Sequence, residues 1–399
     1  MTILLAVIYA SFISLGLPDA ITGAAWPQIS PDLKVSASGA GLLSLIVSSG
    51  TIIASFASGY LLKRLSTISV SIISVLLTAI TLFGFAFAPS FIWLCILSLP
   101  LGLGAGAIDA AINSFTSLHY SAKHTNWLHA FWGVGAAAGP LIVSFWLNWQ
   151  NQWRPAYITI AILQFILLIT LVSTRWTWNS AEEEAIDATS SIEHVTEQNL
   201  PWWKLPLIFP ILTGFAAYCG FELTAGVWAA TFLAEYHGLP VSLAAAGASA
   251  YYIGITVGRF ISGFATARFS NPQLLRIGLA LILAGSLIVT ATPIASTAIA
   301  GFTLFGIGCA PIYPTIIKET TRRLGAENTP RAMGLQMGFA YVGSLTMPPI
   351  TGLLMAYFSP LALSLAILSG IAIMAVCNEY VEYQISAREK AAANAPTAV

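Results

Sequence analysis

Apolar residues in this chain fall in long runs, not in the two-residue alternation of a half-buried strand or the single stripe of a surface helix. Twelve runs follow one another, at 3–28, 40–61, 67–87, 91–118, 127–149, 156–175, 206–235, 243–267, 274–292, 297–318, 332–357 and 360–383. Crossing the hydrocarbon of a bilayer takes a helix of about 20 residues, and each run is long enough. The pattern predicts an all-α integral membrane protein of twelve transmembrane helices. One long polar stretch interrupts it, with Glu182, Glu183, Glu184, Asp187, Glu193 and Glu197 ahead of Trp202 and Trp203. The predicted organisation is a six-helix half at 1–175, a linker at 176–205, a second six-helix half at 206–385 and a polar tail at 386–399.

Composition agrees with lipid as the main solvent. Charged residues make up 8% of the chain and hydrophobic ones 57%, against about 25% charged in an ordinary soluble domain. Of the 16 Lys and Arg residues, Arg259 lies within a run, and only Lys34 and Arg154 fall on one side of the predicted membrane. All the others fall on the side of the termini, so the positive-inside rule predicts cytoplasmic termini and a cytoplasmic linker. The expected location is the plasma membrane, or the inner membrane of a Gram-negative cell. The net charge is zero and the basic residues are scattered over loop edges, which leaves no patch for nucleic acid. The first run has neither a basic leader nor a small-residue cleavage site, which predicts a retained helix. Cys95, Cys219, Cys309 and Cys377 stand singly within runs, with no disulfide or metal spacing.

The two halves repeat at an offset of 204 residues. At that offset Gly50, Phe56, Ser58, Gly59, Arg64 and Ser66 meet Gly254, Phe260, Ser262, Gly263, Arg268 and Ser270. Gly16 meets Gly220, Gly102 and Gly104 meet Gly306 and Gly308, Thr116 meets Thr320, and Gly139 meets Gly343. A constant offset over four pairs of runs indicates a parallel duplication.

Six plus six helices in parallel repeat resemble the major facilitator superfamily, in which substrate sits near the midplane between the halves. The runs GLGAGAIDAAINSF at 102–115, NWLHAFWGVGAAAGPLI at 126–142, YCGFELTAGVW at 218–228 and GRFISG at 258–263 are similar to the fucose permease and glucose:proton symporter branch. The resemblance implies a secondary transporter that moves a small polar solute, a sugar by preference, in symport with protons by alternating access. The alternative is a proton-coupled exporter of drugs or metabolites. The proton gradient would supply the energy, with no cofactor, and Na⁺ could stand in for H⁺. The chain departs from the superfamily pattern at GYLLKRLS, 59–66, which has Lys63 and Arg64 but no preceding Asp. No protein partner is implied, and with no Walker motif, metal cluster or nucleophile triad the chain is not expected to be an enzyme.

Few ionisable residues fall inside runs, and each is a functional candidate, because a charge at the bilayer centre needs a partner, a proton or a wet cavity. Asp19 lies in GLPDAITGAAWP at 16–27, where the prolines and glycines predict a kinked or unwound first helix. Glu222 falls opposite position 18 in the repeat, beside Asp19, so each half would present one carboxylate to a common cavity. Asp109 has Asn113 one turn later, and the resemblance makes the acid of the fourth helix a protonation site. The three acids, Asp19, Asp109 and Glu222, are the proton-coupling candidates. His129 reads as a membrane-edge hydrogen-bonding residue. Arg259 reads as a gate-stabilising group, in an ion pair with Glu222 or as a carbonyl cap.

Sugar recognition takes hydrogen-bonding groups and an aromatic face. The candidates for it are Asn113, Tyr218, Trp228, Tyr251, Tyr252, Tyr313 and Gln336. Trp176, Trp178, Trp202 and Trp203 sit where interfacial anchors gather.

Overall fold

The computed structural model describes residues 2–120, 122–178, 202–325 and 328–393. Most of the linker expected at 176–205 and the last residues of the 386–399 tail lie outside them. Thirteen α-helices are described: α1 Thr2–Asp32, α2 Gly39–Leu61, α3 Thr67–Ala86, α4 Phe91–His119, α5 Ala122–Gln150, α6 Arg154–Ser173, α7 Ile208–Glu235, α8 Val241–Ala265, α9 Asn271–Ala291, α10 Ala295–Cys309, α11 Ile312–Leu324, α12 Thr329–Tyr357 and α13 Ala362–Ala393. There is no strand among the described residues. Twelve segments are long and apolar enough to cross a membrane, α10 and α11 together forming the tenth. Large apolar side chains such as Phe264 and Phe358, 82% and 80% exposed, cover the outside, as a lipid-facing surface requires.

The helices pack in pairs that repeat between the halves. The contacts of α1 with α5, α2 with α4, α3 with α4 and α3 with α6 recur as α7 with α12, α8 with α10, α9 with α10 and α9 with α13. Across the halves α5 packs on α8, α12 on α2, and α1 on α7. Glycines matched by the repeat explain the close pairs. A Cβ on Gly50 would meet the backbone of α4 and one on Gly254 the backbone of α10, while Gly139 and Gly343 abut the backbones of α1 and α7. Small residues let helix backbones come together where lipid offers no hydrophobic drive.

Of the kinked or unwound first helix that the prolines and glycines predict, the unwinding is corrected. α1 runs unbroken through Pro18, Pro27 and Pro31. Pro18 cannot donate to the carbonyl one turn back, but Gln164 of α6 donates its Nε2 to that oxygen, Ser14 O, at 2.9 Å. The freed acceptor is satisfied and the helix has no reason to open. A break falls instead in the tenth span, at Ala310–Pro311. There the Tyr218 hydroxyl of α7 donates to Cys309 O at 3.0 Å, meeting a carbonyl that the helix end leaves unpaired.

At the end of the bundle carrying Lys63, Arg64 and Lys318, a network ties α11 to α13. Arg323 donates to Glu382 at 2.9 Å and to Asn378 at 2.8 Å, and Arg322 pairs with Glu319, Glu382 and Glu389. At the opposite end Asp32 of α1 accepts from Trp153 and from Arg154, at 2.9 and 2.6 Å. Trp178 is no interfacial anchor. Its indole is fully buried against Phe115, with ring centroids 4.9 Å apart, whereas Trp176 and Trp203 are exposed.

Candidate functional site

Between the halves lies a cavity of about 570 Å³. Its inner wall is set by the inter-half contacts on the Arg154 side, where Gly23 of α1 meets Val227 of α7 and Gly41 of α2 meets Pro349 of α12. Toward the other end the lining extends to Ser262 and Thr266 in α8 and its C-cap, and to Lys318 in α11. The cavity therefore reaches the end that carries Lys63 and Arg64.

All three candidate acids line this space. Asp19 accepts a hydrogen bond from Trp132 Nε1 at 2.7 Å, and the charges of Asp19 and Asp109 lie within mutual electrostatic reach. Asp109 Oδ1 accepts from Asn113 Nδ2 at 2.9 Å, closing the turn that the spacing predicts. Glu222 lies opposite on α7, its backbone carbonyl taking the Tyr251 hydroxyl at 2.8 Å. Arg259 is within electrostatic reach of Glu222, but no Glu222–Arg259 ion pair is among the salt bridges of the described residues. Arg259 instead donates from Nη1 to His129 O at 2.5 Å, and its guanidinium sits 5.2 Å from the Trp132 ring centroid. Of the two roles expected for Arg259, the geometry displays the carbonyl cap. α5 begins at Ala122, but its apolar span starts only at Trp127, so His129 lies two residues into that span, and its side chain is among those lining the cavity.

Tyr251, Tyr252 and Tyr313 also line the cavity; four expected substrate ligands do not. Trp228 is fully buried, its Nε1 donating to Pro348 O at 2.9 Å. From Glu222, six residues at 3.6 per turn rotate the side chain by about 120°, off the cavity face. Tyr218 is spent on the Cys309 carbonyl. Gln336 is fully buried between α11 and α12, its Oε1 accepting from Thr320 at 2.9 Å. Asn113 reaches the site only through Asp109.

Other lining residues were not singled out from the sequence. Trp132 is the principal one, and Ser44, Ser48 and Thr51 of α2 are others. The hydroxyl stripe carries a signal, since positions i, i+4 and i+7 share a helix face. Trp132 carries none, because nothing in its type separates a cavity tryptophan from a packed one.

The Major Facilitator Superfamily profile matches residues 8–216 and again 210–396, and the chain belongs to this superfamily. It is a multi-pass membrane transporter and not an enzyme. Bypass of stop codon protein 6 of Saccharomyces cerevisiae is 24% identical over 284 residues, 66% of this chain and 56% of that protein, so the match spans little more than half of the yeast relative. The glucose/mannose transporter GlcP of Bacillus subtilis is 21% identical over 315 residues, 77% of each chain. The solved structure of the nucleoside transporter NupG shares the fold, with a TM-score of 0.70 at 15% identity, covering 96% of this chain and 99% of that one.

Proposed function

We propose that the protein is a proton-coupled symporter of a monosaccharide that works by alternating access, with both termini in the cytoplasm. The observation that carries the proposal is the set of three carboxylates, Asp19, Asp109 and Glu222, around one cavity between the halves. A carboxyl group facing water from within the membrane is the natural carrier for a proton, and the cavity adds hydroxyls and tyrosines suited to a polyol. With the basic end cytoplasmic, the cavity faces inward in this conformation. The similarity to GlcP supports a hexose as substrate. Ligands that bind the folded state raise its apparent stability, so purified protein should melt higher with one or a few sugars, saturably and with preference among hexose epimers.

A second reading, proton-coupled export of an apolar drug or metabolite, is supported by the apolar share of the lining, which includes Phe12, Leu43, Val47, Leu223 and Ile255. Stabilisation by hydrophobic cations and by no sugar would favour it.

A further inference from the structure

Three contacts meet at one indole. Trp132 of α5 donates its Nε1–H to the Asp19 carboxylate of α1, 2.7 Å away. Its ring faces the guanidinium of Arg259, a residue of α8 in the other half, at 5.2 Å. Arg259 in turn holds α5 one turn upstream, through the carbonyl of His129. The indole edge also abuts the Tyr252 ring, with centroids 6.4 Å apart. Trp132 thus joins an ionisable group of the first half to a fixed cation of the second, on the α5–α8 seam along which the halves pack.

We propose that Trp132 is a positioning residue that transmits the protonation state of Asp19 to Arg259, and so to the α5–α8 seam. The inference rests on the reading of the protein as proton-coupled. An ionised carboxylate accepts a charge-assisted hydrogen bond, roughly twice as strong as the bond to its neutral form. Ionised Asp19 fixes the indole, and the indole presents its π face to Arg259, an attraction that strengthens where water is excluded. Protonation of Asp19 weakens the first link, frees the ring, and loosens the hold of Arg259 on α5. Arg259 then lies free to turn toward Glu222, already within its electrostatic reach. Other groups share this field. Asp109 of α4 and Tyr252 of α8 face Asp19, Glu222 of α7 faces Tyr252, and His129 of α5 faces Arg259. The α2 wall offers the hydroxyls of Ser44, Ser48 and Thr51.

The test is the pH profile of substrate uptake in proteoliposomes. Trp132→Phe keeps an aromatic face for Arg259 but removes the N–H, so it takes away a donor that favours the ionised form of Asp19. The proton is then held to higher pH, and the alkaline midpoint of uptake should move up by about one unit, a tenfold change in proton affinity. Trp146→Phe, which removes an indole bonded to Thr159 outside the cavity, should leave the midpoint where it is. A purely structural role for Trp132 would lower uptake at every pH without moving the midpoint. If Trp132→Phe does not fold, the benzothienylalanine isostere at position 132, with sulfur in place of the ring N–H, decides in the same way. An unmoved midpoint in an active variant overturns the proposal. Wild-type uptake indifferent to the proton gradient overturns the coupling reading itself, and this inference with it.

Discussion

Asp109 and Asn113 show how a residue's role follows from its partner. Asn113 is not among the residues lining the cavity; its amide holds the Asp109 carboxylate. On the proposed mechanism Asp109→Asn mimics a permanently protonated acid. It should abolish gradient-driven accumulation while retaining measurable counterflow exchange, read as labelled-substrate efflux against internal substrate. Full accumulation by the variant would remove Asp109 from the coupling. Trp228 teaches the opposite lesson, because its indole is locked into packing by Pro348. Trp228→Ala should act as a stability defect, of about 3–5 kcal/mol for a large aromatic truncated in a packed interior, and appear as a lowered melting temperature in detergent. An intact melting temperature with selective loss of sugar affinity would return Trp228 to the binding site. The acids were legible in the sequence because ionisable residues are rare in apolar runs. The aromatic candidates were legible only in part: Tyr251, Tyr252 and Tyr313 line the cavity, whereas Tyr218 and Trp228 do not. Tyr218 and Tyr252 have the same chemistry, and which carbonyl, ring or cavity each one meets is settled by neighbouring helices far away in the chain.

The helices themselves were legible to within a turn or two, since length and hydropathy decide whether a segment can span. The main differences have local causes. α13 continues well past the apolar run to Ala393 because its polar turns hold Glu382 and Glu389 against α11. The tenth span breaks at Pro311, where Tyr218 can cap the exposed carbonyl. Most glycines aligned by the offset of 204 residues, such as Gly50 with Gly254 and Gly139 with Gly343, fall at close helix contacts in both halves, whereas Gly59 and Gly263 face open space. The charge network had no sequence forecast. With no Asp ahead of Lys63 and Arg64, the well-developed ion-pair cluster at this end is the one between α11 and α13 of the second half. Arg323 and Glu382 have side chains only 3% and 5% exposed, and removing one partner of a buried pair leaves an uncompensated charge, at a cost of about 3–5 kcal/mol. Glu382→Leu should therefore lower thermal stability markedly, whereas Arg276 and Glu379, a pair half exposed to solvent, should tolerate neutralisation with little change. Equal effects on melting temperature would show that the α11–α13 network is not a structural clamp.

At the scale of the whole molecule, two six-helix bodies close around the cavity on the Arg154 side and part on the Lys63 side. If the basic end is cytoplasmic, this is an inward-facing state, and a cysteine at Ser190 in the linker should be labelled only by reagents that reach the cytoplasm. Labelling from outside the cell would invert the topology and the direction in which the cavity opens. The central claim, that sugar and proton cross together through this cavity, is tested most directly by proton flux. In proteoliposomes without an imposed pH gradient, adding a transported hexose outside should draw protons inward and alkalinise the external medium, with a rate that saturates with hexose and disappears in Asp109→Asn. Hexose entry with no accompanying proton movement, or proton movement unchanged in that variant, would contradict the account.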